Sequence, residues 1–365
     1  MFKTNKIGLM APTFRQWVDP NTIGNDYNVP CIAWYDFTNP DEKNDDGVRI
    51  LMDSTLGYVS NNDPIRRILN KAKPIVQLDD EDMGQHYRFG SYCSQIASTY
   101  RPRWKAEDVS PWCKGYADFD GINDHLRMNS DIGPAWMDGE FGNTSGGDRI
   151  TKSEINLRIF TTIVVVRSDV TEAGGEDRHV FGFRGINNAG DAMVDYRVQM
   201  WDTAGGVDKM RAGYLLADGT SYYHTVPDTV TATDGTVLQG GLDSSSIQIY
   251  QHHLEAVNSP FQRFFLQDRS YPQNSVQFDT DRFIGSYNIV GDASSNQVMP
   301  IAVNMHVDEG AVGNSQFIIG GSAGGMTAQS WDGRIYEIIM FNGVLHPHAH
   351  VQLSNYLNLK YNYYV

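Results

Sequence analysis

Cysteine is scarce: Cys31, Cys93 and Cys113 are the only three in 365 residues. An odd and sparse set excludes a small secreted module built on a disulfide framework. A single Cys93–Cys113 bridge stays open, and synthesis in a reducing cytosol is the default expectation. Long apolar runs are also missing. No stretch reaches the roughly 18 uninterrupted apolar residues that a membrane helix needs. The N-terminus carries Lys3 and Lys6 but only a short apolar patch broken by Pro12, a poor export signal. Positive charge is in deficit, with 29 Lys and Arg against 44 Asp and Glu and a formal net charge of −15. Such a surface repels phosphate backbones and anionic bilayers, so neither nucleic acid nor membrane is expected as a partner. No Cys–His nucleophile pattern occurs, and the Gly-containing stretch 182–195 lacks a Walker lysine.

What is present suits an all-β protein. Hydrophobic residues make up 41% and aromatics 12%, enough for a large core, while 35 glycines and 14 prolines suit many turns. Residues 32–40 read as a short aromatic strand, and 115–119 and 125–128 as a strand pair joined by a turn. The β-branched run 155–169 is apolar on both parities, as in a strand buried on both faces. Further strands are expected at 179–185 and 195–202. Others begin at Lys209, Ser246, Arg263, Met299 and Ser315, with turn signals at 218–219, 234–235, 240–241 and 320–321. Asp63–Ala72 could cap and start one or two helical turns. Residues 79–114, 130–155 and 205–245 read as long loops. Pro347 opens a C-terminal helix with Leu353, Tyr356 and Leu357 on one stripe, expected to be the only real helix. The organisation expected is an extended N-terminal arm, 1–30, and one domain, 31–365.

Two segments resemble the concanavalin A-like, laminin-G-like jelly-roll domains. Residues 115–128, GYADFDGINDHLRM, are similar to that family's strand–turn–strand of the form F-D-G-x-x-D-x-L. Residues 317–362 resemble its closing segment: an IGG strand, a loop, DGRIxEIIxF, and a short helix ending YLxxKY. IAWYDFTNP and TTIVVVRSD fit the opening strand and the strand after the first motif. The matches run in order over about residues 32–362. The resemblance implies an antiparallel two-sheet sandwich with long loops and one short C-terminal helix. Within it, Gly121 and Gly333 would take positive φ in tight turns, with Asp120 and Asp332 bonding the turn backbone.

The same fold carries glycoside hydrolases and polysaccharide lyases. The run E-x-D-x-x-E used by such hydrolases is missing. Asp195 and Asp202 fall on opposite faces of a strand, and Asp138 and Glu140 alternate inside a Gly-rich loop. Gln248, Tyr250 and His252 share a face and come nearest to a lyase arrangement, with a solvated polar face as the plainer reading. His346, His348 and His350 do not share one helix face, so helix-start solvation outweighs zinc. Ca²⁺ stays a candidate ion with no named site; Asp118, Asp120, Asn123 and Asp124 supply oxygens that hairpin capping explains equally. Candidate carbohydrate-binding aromatics are Tyr222, Tyr223 and His224 in an expected loop, and Trp104 and Trp112 flanking another. The bland alternative is that they pack loops onto the sandwich.

A lectin-like sandwich with no export signal points to release by lysis. The expectation is therefore a non-enzymatic virion structural protein of a bacteriophage, a capsid decoration or a tail or fibre component. It would attach to other virion proteins through the arm, form a homo-oligomer, and contact host-surface glycans. The alternatives are a free or cell-surface carbohydrate-binding module and, further off, a polysaccharide lyase or glycoside hydrolase. This context is an analogy from fold.

Overall fold

The computed structural model describes residues 18–45, 47–73, 92–128, 159–170, 177–186, 192–201, 208–216, 221–225, 229–231, 237–239, 242, 244–255, 261–268, 284–289, 317–321 and 329–361. In chain order the elements begin with helix α1 (Pro20–Asp26) and strands β1 (Cys31–Asp36), β2 (Leu51–Met52), β3 (Arg67–Leu69) and β4 (Tyr92–Ser94). Next come β5 (Arg103–Ser110), β6 (Cys113–Asp120), β7 (Leu126–Met128), β8 (Ile159–Ser168), β9 (Arg178–Ile186) and β10 (Ala192–Trp201). They continue with β11 (Lys209–Leu216), β12 (Ser221–Thr225), β13 (Thr229–Thr231), β14 (Val237–Gln239) and β15 (Gln248–Glu255). The last are β16 (Phe261–Asp268), β17 (Ile284–Ile289), β18 (Phe317–Ile319), β19 (Asp332–Phe341) and helix α2 (Pro347–Tyr361).

Two antiparallel sheets carry the fold. The first has eight strands in the order β17-β16-β15-β8-β19-β6-β5, with β1 pairing the second half of β19 where β6 leaves off. The second has nine, in the order β12-β11-β10-β9-β18-β7-β4-β3-β2. The expected two-sheet sandwich and its C-terminal helix are therefore present. Strand β8 is central in its sheet. Phe160, Val164 and Val166 join the core between the sheets, while Ile163 and Val165 join a second core on the other side. That second core is closed by Ile23 of α1 and by Ala349, Leu353, Tyr356, Leu357 and Tyr361 of α2. The molecule thus has three layers: nine strands, eight strands, and helices.

Several sequence expectations change. Residues 18–30, read as part of an extended arm, hold the seven-residue α1, capped by Asp19 accepting from the Thr22 N–H at 2.8 Å. Its Ile23 is fully buried, so α2 is not the only helix. Asp63–Ala72 forms strand β3 rather than helical turns, because Ile68 is drawn into the core between the sheets. Within 79–114, expected as loop, β4 and β5 pair in register with neighbours. Cys93 and Cys113 do not pair. Both are free and buried, Cys93 in the core between the sheets and Cys113 in the core under the helices. Burial pushes the Cys93 thiol up to about 12 and raises Cys113 as well. Residues 1–17, the strand expected from Met299, and the turns at 218–219, 234–235 and 240–241 lie outside the described residues. Gly121 and Gly333 do take positive φ, +70° and +139°; a Cβ at Gly333 would strike the Arg167 carbonyl oxygen. Asp120 Oδ1 accepts from the Ile122 and Asn123 N–H groups, whereas Asp332 pairs with Arg178 at 3.3 Å.

One buried polar network fastens α2 to its sheet. A bulge at Tyr336 breaks the alternation of β19, so Tyr336 and Glu337 both face the helices. Glu337, fully buried, accepts from Trp34 Nε1 at 2.6 Å, Tyr356 Oη at 2.5 Å, Tyr361 Oη at 2.6 Å and Lys360 Nζ at 3.0 Å. Lys360 Nζ also reaches Asp36 Oδ2 at 2.7 Å, and Lys71 meets the same oxygen at 2.9 Å. Burial alone would raise the Asp36 pKa, but Lys360 and Lys71 outweigh it and hold the carboxyl far below the usual range. Burial lowers Lys360, and Asp36 and Glu337 overcome it, leaving the ammonium raised.

Such a network is costly to break on one side only, because a charge is left buried and uncompensated. Lys360→Met, which keeps the stem's bulk, is expected to lower stability by about 3–5 kcal/mol. The reading is a reduced urea midpoint with unchanged slope. The pH dependence has a sign on each side. The Asp36 contribution is complete above about pH 4 and lost as pH falls through its depressed folded value. The Lys360 contribution is complete below about pH 10 and lost as pH rises through its raised folded value.

Candidate functional site

Both helices lie on the eight-stranded sheet, which leaves the outer face of the nine-stranded sheet as the place to look. Strands β9 to β11 send Phe181, Phe183, Val198, Met200, Met210 and Ala212 into the core. Alternation turns the residues between them outward. Register aligns these in rows. One row runs Tyr223, Gly213, Arg197, Gly182 from β12 to β9; the next runs Arg211, Gln199, His179 from β11 to β9. The two glycines put no side chain on either side of Arg197.

His179 reaches this face through a second bulge. Val198 pairs with Phe181 and Gln199 with His179, so Val180 is the extra residue and joins Phe181 in the core. Strict alternation would have aimed His179 inward with Phe181 and Phe183.

Arg211 is the centre of the patch. Its guanidinium carbon lies 4.2 Å from the Tyr223 ring centroid and 5.2 Å from that of Trp201. Its Nη2 meets Asp177 Oδ2 at 2.5 Å, and Gln199 Nε2 donates to the same oxygen at 2.7 Å. Tyr223, Trp201 and Arg197 are half-buried, and beneath them Gln199 and His179 are fully buried. Neither ring nitrogen of His179 has a hydrogen-bond partner, nor do Gln199 Oε1 and Arg211 Nε. Burial holds His179 well below the ordinary histidine range, and Arg197 and Arg211 push it the same way. The imidazole is therefore neutral, with one donor and one acceptor nitrogen. An unmet buried polar group costs about 1–3 kcal/mol, and a ligand or water that completed several together would recover that cost.

The residues expected from the sequence divide. Tyr223 belongs to this face. Tyr222 and His224 flank it on β12, which is an edge strand rather than the expected loop. Trp104 is buried, donates from Nε1 to the Phe37 carbonyl oxygen at 2.9 Å, and lies where a Cβ on Gly115 would collide with it. It packs the interior and offers no ring to solvent. Trp112 is 47% exposed at the β5–β6 turn, in the other sheet and apart from Tyr223. Gln248, Tyr250 and His252 point between the sheets instead of outward. Tyr250 Oη donates to Gln248 Oε1 at 3.0 Å, and His252 Nδ1 lies 2.9 Å from Tyr196 Oη. No polysaccharide reaches them there. Asp138 and Glu140 lie outside the described residues.

His346 and His348 are exposed and stacked with centroids 5.3 Å apart, while His350 stacks on His253 at 4.6 Å and seats α2 on β15. Near the first hairpin, burial and then the Asp120 charge push Asp124 up to about 7. Among the described residues no group of three or more His, Cys, Asp or Glu side chains is arranged to hold a metal ion. Arg197, Gln199, Trp201, Arg211, Asp177 and His179 were missed by sequence reasoning. The alternation in DYRVQMWD did carry the first three; the bulge that presents His179 leaves no mark in the sequence.

No protein-family model matches the chain, and no curated protein matches it. Solved structures do. The family 40 carbohydrate-binding module of an IT-sialidase from Ruminococcus gnavus is 11% identical, with a TM-score of 0.31 over 55% of this chain and 84% of that one. Domain 4 of an extracellular family 43 arabinanase from Geobacillus stearothermophilus, in complex with arabinotriose, is 11% identical, with a TM-score of 0.36 over 89% and 98%. A family 54 α-L-arabinofuranosidase is 12% identical, with a TM-score of 0.41 over 95% and 66%. These neighbours are carbohydrate-binding modules and glycoside hydrolases.

His179→Leu tests whether the unmet groups are kept at the expense of stability. The substitution is expected to stabilise the ligand-free protein by about 1 kcal/mol or more at pH 8. The gain should grow at pH 5. The depressed histidine contributes stability that is lost as pH falls below about 6.5, and leucine removes that loss. Denaturant midpoints at the two pH values are the readout; a destabilised variant would mean that His179 is packed and satisfied.

Proposed function

We propose that the protein binds glycans without chemically altering them, through the outer face of the nine-stranded sheet at Tyr223, Trp201, Arg211, Asp177, Gln199 and His179. The observation that carries this reading is the set of unpartnered buried polar atoms beneath half-buried aromatic rings. A sugar hydroxyl donates and accepts at once. Asp177 accepts and Arg211 donates at the surface; Gln199 Oε1 and neutral His179, with one donor and one acceptor nitrogen, are fully buried and come within reach of a hydroxyl only as the side chains over them part. Tyr223 and Trp201 supply flat apolar surface for the C–H faces of a pyranose ring. Pockets of this composition, a few convergent polar groups among aromatics, are the usual form of a small-ligand site.

The absence of catalysis is part of the proposal. Hydrolysis by the common route needs two carboxylates flanking one bond. Asp177 is the one carboxylate that the described residues place in this cluster, and Arg211 already engages it. The lyase-like trio faces the core. For the place of action, the proposal follows the sequence: the surface of a virus particle, where this face would meet host glycans.

The test is a glycan array followed by titration calorimetry. Arg211→Ala and Tyr223→Ala are each expected to weaken binding at least about tenfold, since a truncated stacked or charge-assisted contact costs on the order of 1.5–3 kcal/mol. Trp112→Ala is expected to leave it unchanged. Binding lost on Trp112→Ala and kept on the other two would move the site to the other sheet.

A further inference from the structure

The Tyr223 row continues across the whole sheet. Past Gly182 the same register passes to Ile318 on β18, Arg127 on β7, Ser94 on β4 and Arg67 on β3. The neighbours of each in its strand, Phe317 and Ile319, Leu126, Cys93 and Ile68, belong to the core, so these residues turn outward. Three arginines thus stand in one line perpendicular to the strands, all half-buried. Neighbouring strands lie about 4.8 Å apart, which puts about 14 Å between Arg197 and Arg127 and about 10 Å between Arg127 and Arg67. No ion pair joins Arg127 or Arg67 to a carboxylate among the described residues. Arg67 lies 4.2 Å from the Tyr92 ring centroid, and its Nε is buried without a partner. This cationic line sits on a chain whose net charge is −15.

Resting on the glycan-binding reading above, we infer that the ligand is an acidic polysaccharide, a chain bearing carboxylates, laid across the strands from Arg197 to Arg67. A guanidinium is the side chain best matched to a carboxylate, through two parallel N–H···O bonds. One saccharide unit is about as long as one strand spacing, so the arginines would meet carboxylates three and then two units apart, within a hexasaccharide. Ile318 and the two glycines keep the floor low between the charges. Single-stranded nucleic acid is the other extended polyanion. It is disfavoured because its denser charge meets an acidic protein and because sequence-tolerant binding uses a series of stacking aromatics. Along this row Tyr223 is the one aromatic.

The experiment titrates the full chain with hexamers of galacturonan and alginate, which carry a carboxylate on every unit. A methyl-esterified galacturonan hexamer, neutral cellohexaose and oligothymidylate serve as comparison probes, at low and at physiological ionic strength. The expected result is that at least one acidic hexamer binds, at least about tenfold more tightly than the esterified and neutral probes, with affinity falling as salt rises. Arg127→Gln and Arg67→Gln should each lower that affinity by about fivefold and flatten its salt dependence, as removal of a half-exposed ion pair does. Both variants should keep the parent's unfolding midpoint, which separates lost binding from lost folding. Equal binding of acidic and neutral probes would overturn this inference and leave the glycan-binding reading standing. Binding of oligothymidylate with no saccharide bound would overturn both. Binding of no acidic hexamer, with glycan-array binding elsewhere, would overturn the inference alone.

Discussion

Glu337 is a carboxylate with no access to water, and the layout of the molecule depends on how it is satisfied. Four donors converge on it, from Trp34 in one sheet and from Tyr356, Lys360 and Tyr361 in α2. Nothing but α2 in its present place supplies three of them. The helix is therefore fixed over the eight-stranded sheet, where Leu353, Tyr356 and Leu357 also close the second core. Burial of those apolar side chains contributes about 1.5–3 kcal/mol each, but apolar contact is not directional. The charge network is what selects the seat. Among the described residues no helix covers the other outer face, which carries the arginines, the unpartnered imidazole and the aromatic edge.

The charged cluster under the helices is complete in itself. Under the helices every charged group of the cluster has its counterpart: Asp36 with Lys360 and Lys71, Lys360 with Glu337. On the open face His179, Gln199 and Arg211 retain unmet atoms. Unmet atoms also occur on the α2 side, at Gln251, Gln352 and Asn355; the set on the nine-stranded sheet differs in lying beside Arg211 and the rings of Tyr223 and Trp201. Folds depart from local consistency mainly where function requires it.

Much of this was legible in the sequence, for reasons that can be named. The sandwich, its strongest strand signal at Ile155–Asp169 and the closing helix follow from β-branched runs and from a stripe of apolar residues at helical spacing. The closing segment DGRIxEIIxF and YLxxKY even contained the two ends of the clasp, since its Glu is Glu337 and its final pair Lys360 and Tyr361. That they meet is a tertiary fact which spacing does not give. What stayed hidden was hidden by bulges. The extra residues at Tyr336 and Val180 invert the faces of the residues before or after them, so Glu337 reads as misplaced and His179 as a core residue. Trp104 misled for a different reason: an indole suited to stacking sugar is equally suited to packing over Gly115. Strand β3 was read as helix because Asp63 and Pro64 imitate a helix start, whereas burial of Ile68 between the sheets decided the outcome.

The central claim is that the open sheet face receives a ligand whose polar groups complete those of His179. The imidazole itself reports on this. Nitrogen and proton resonances of the histidine rings, followed by NMR while an acidic hexasaccharide is added, separate His179 from His253 on β15 and His350 on α2. The account predicts that the His179 ring nitrogens shift on saturation as they gain partners, while His253 and His350 stay in place. Saturation that leaves His179 unmoved, or that shifts His253 and His350 instead, would contradict it.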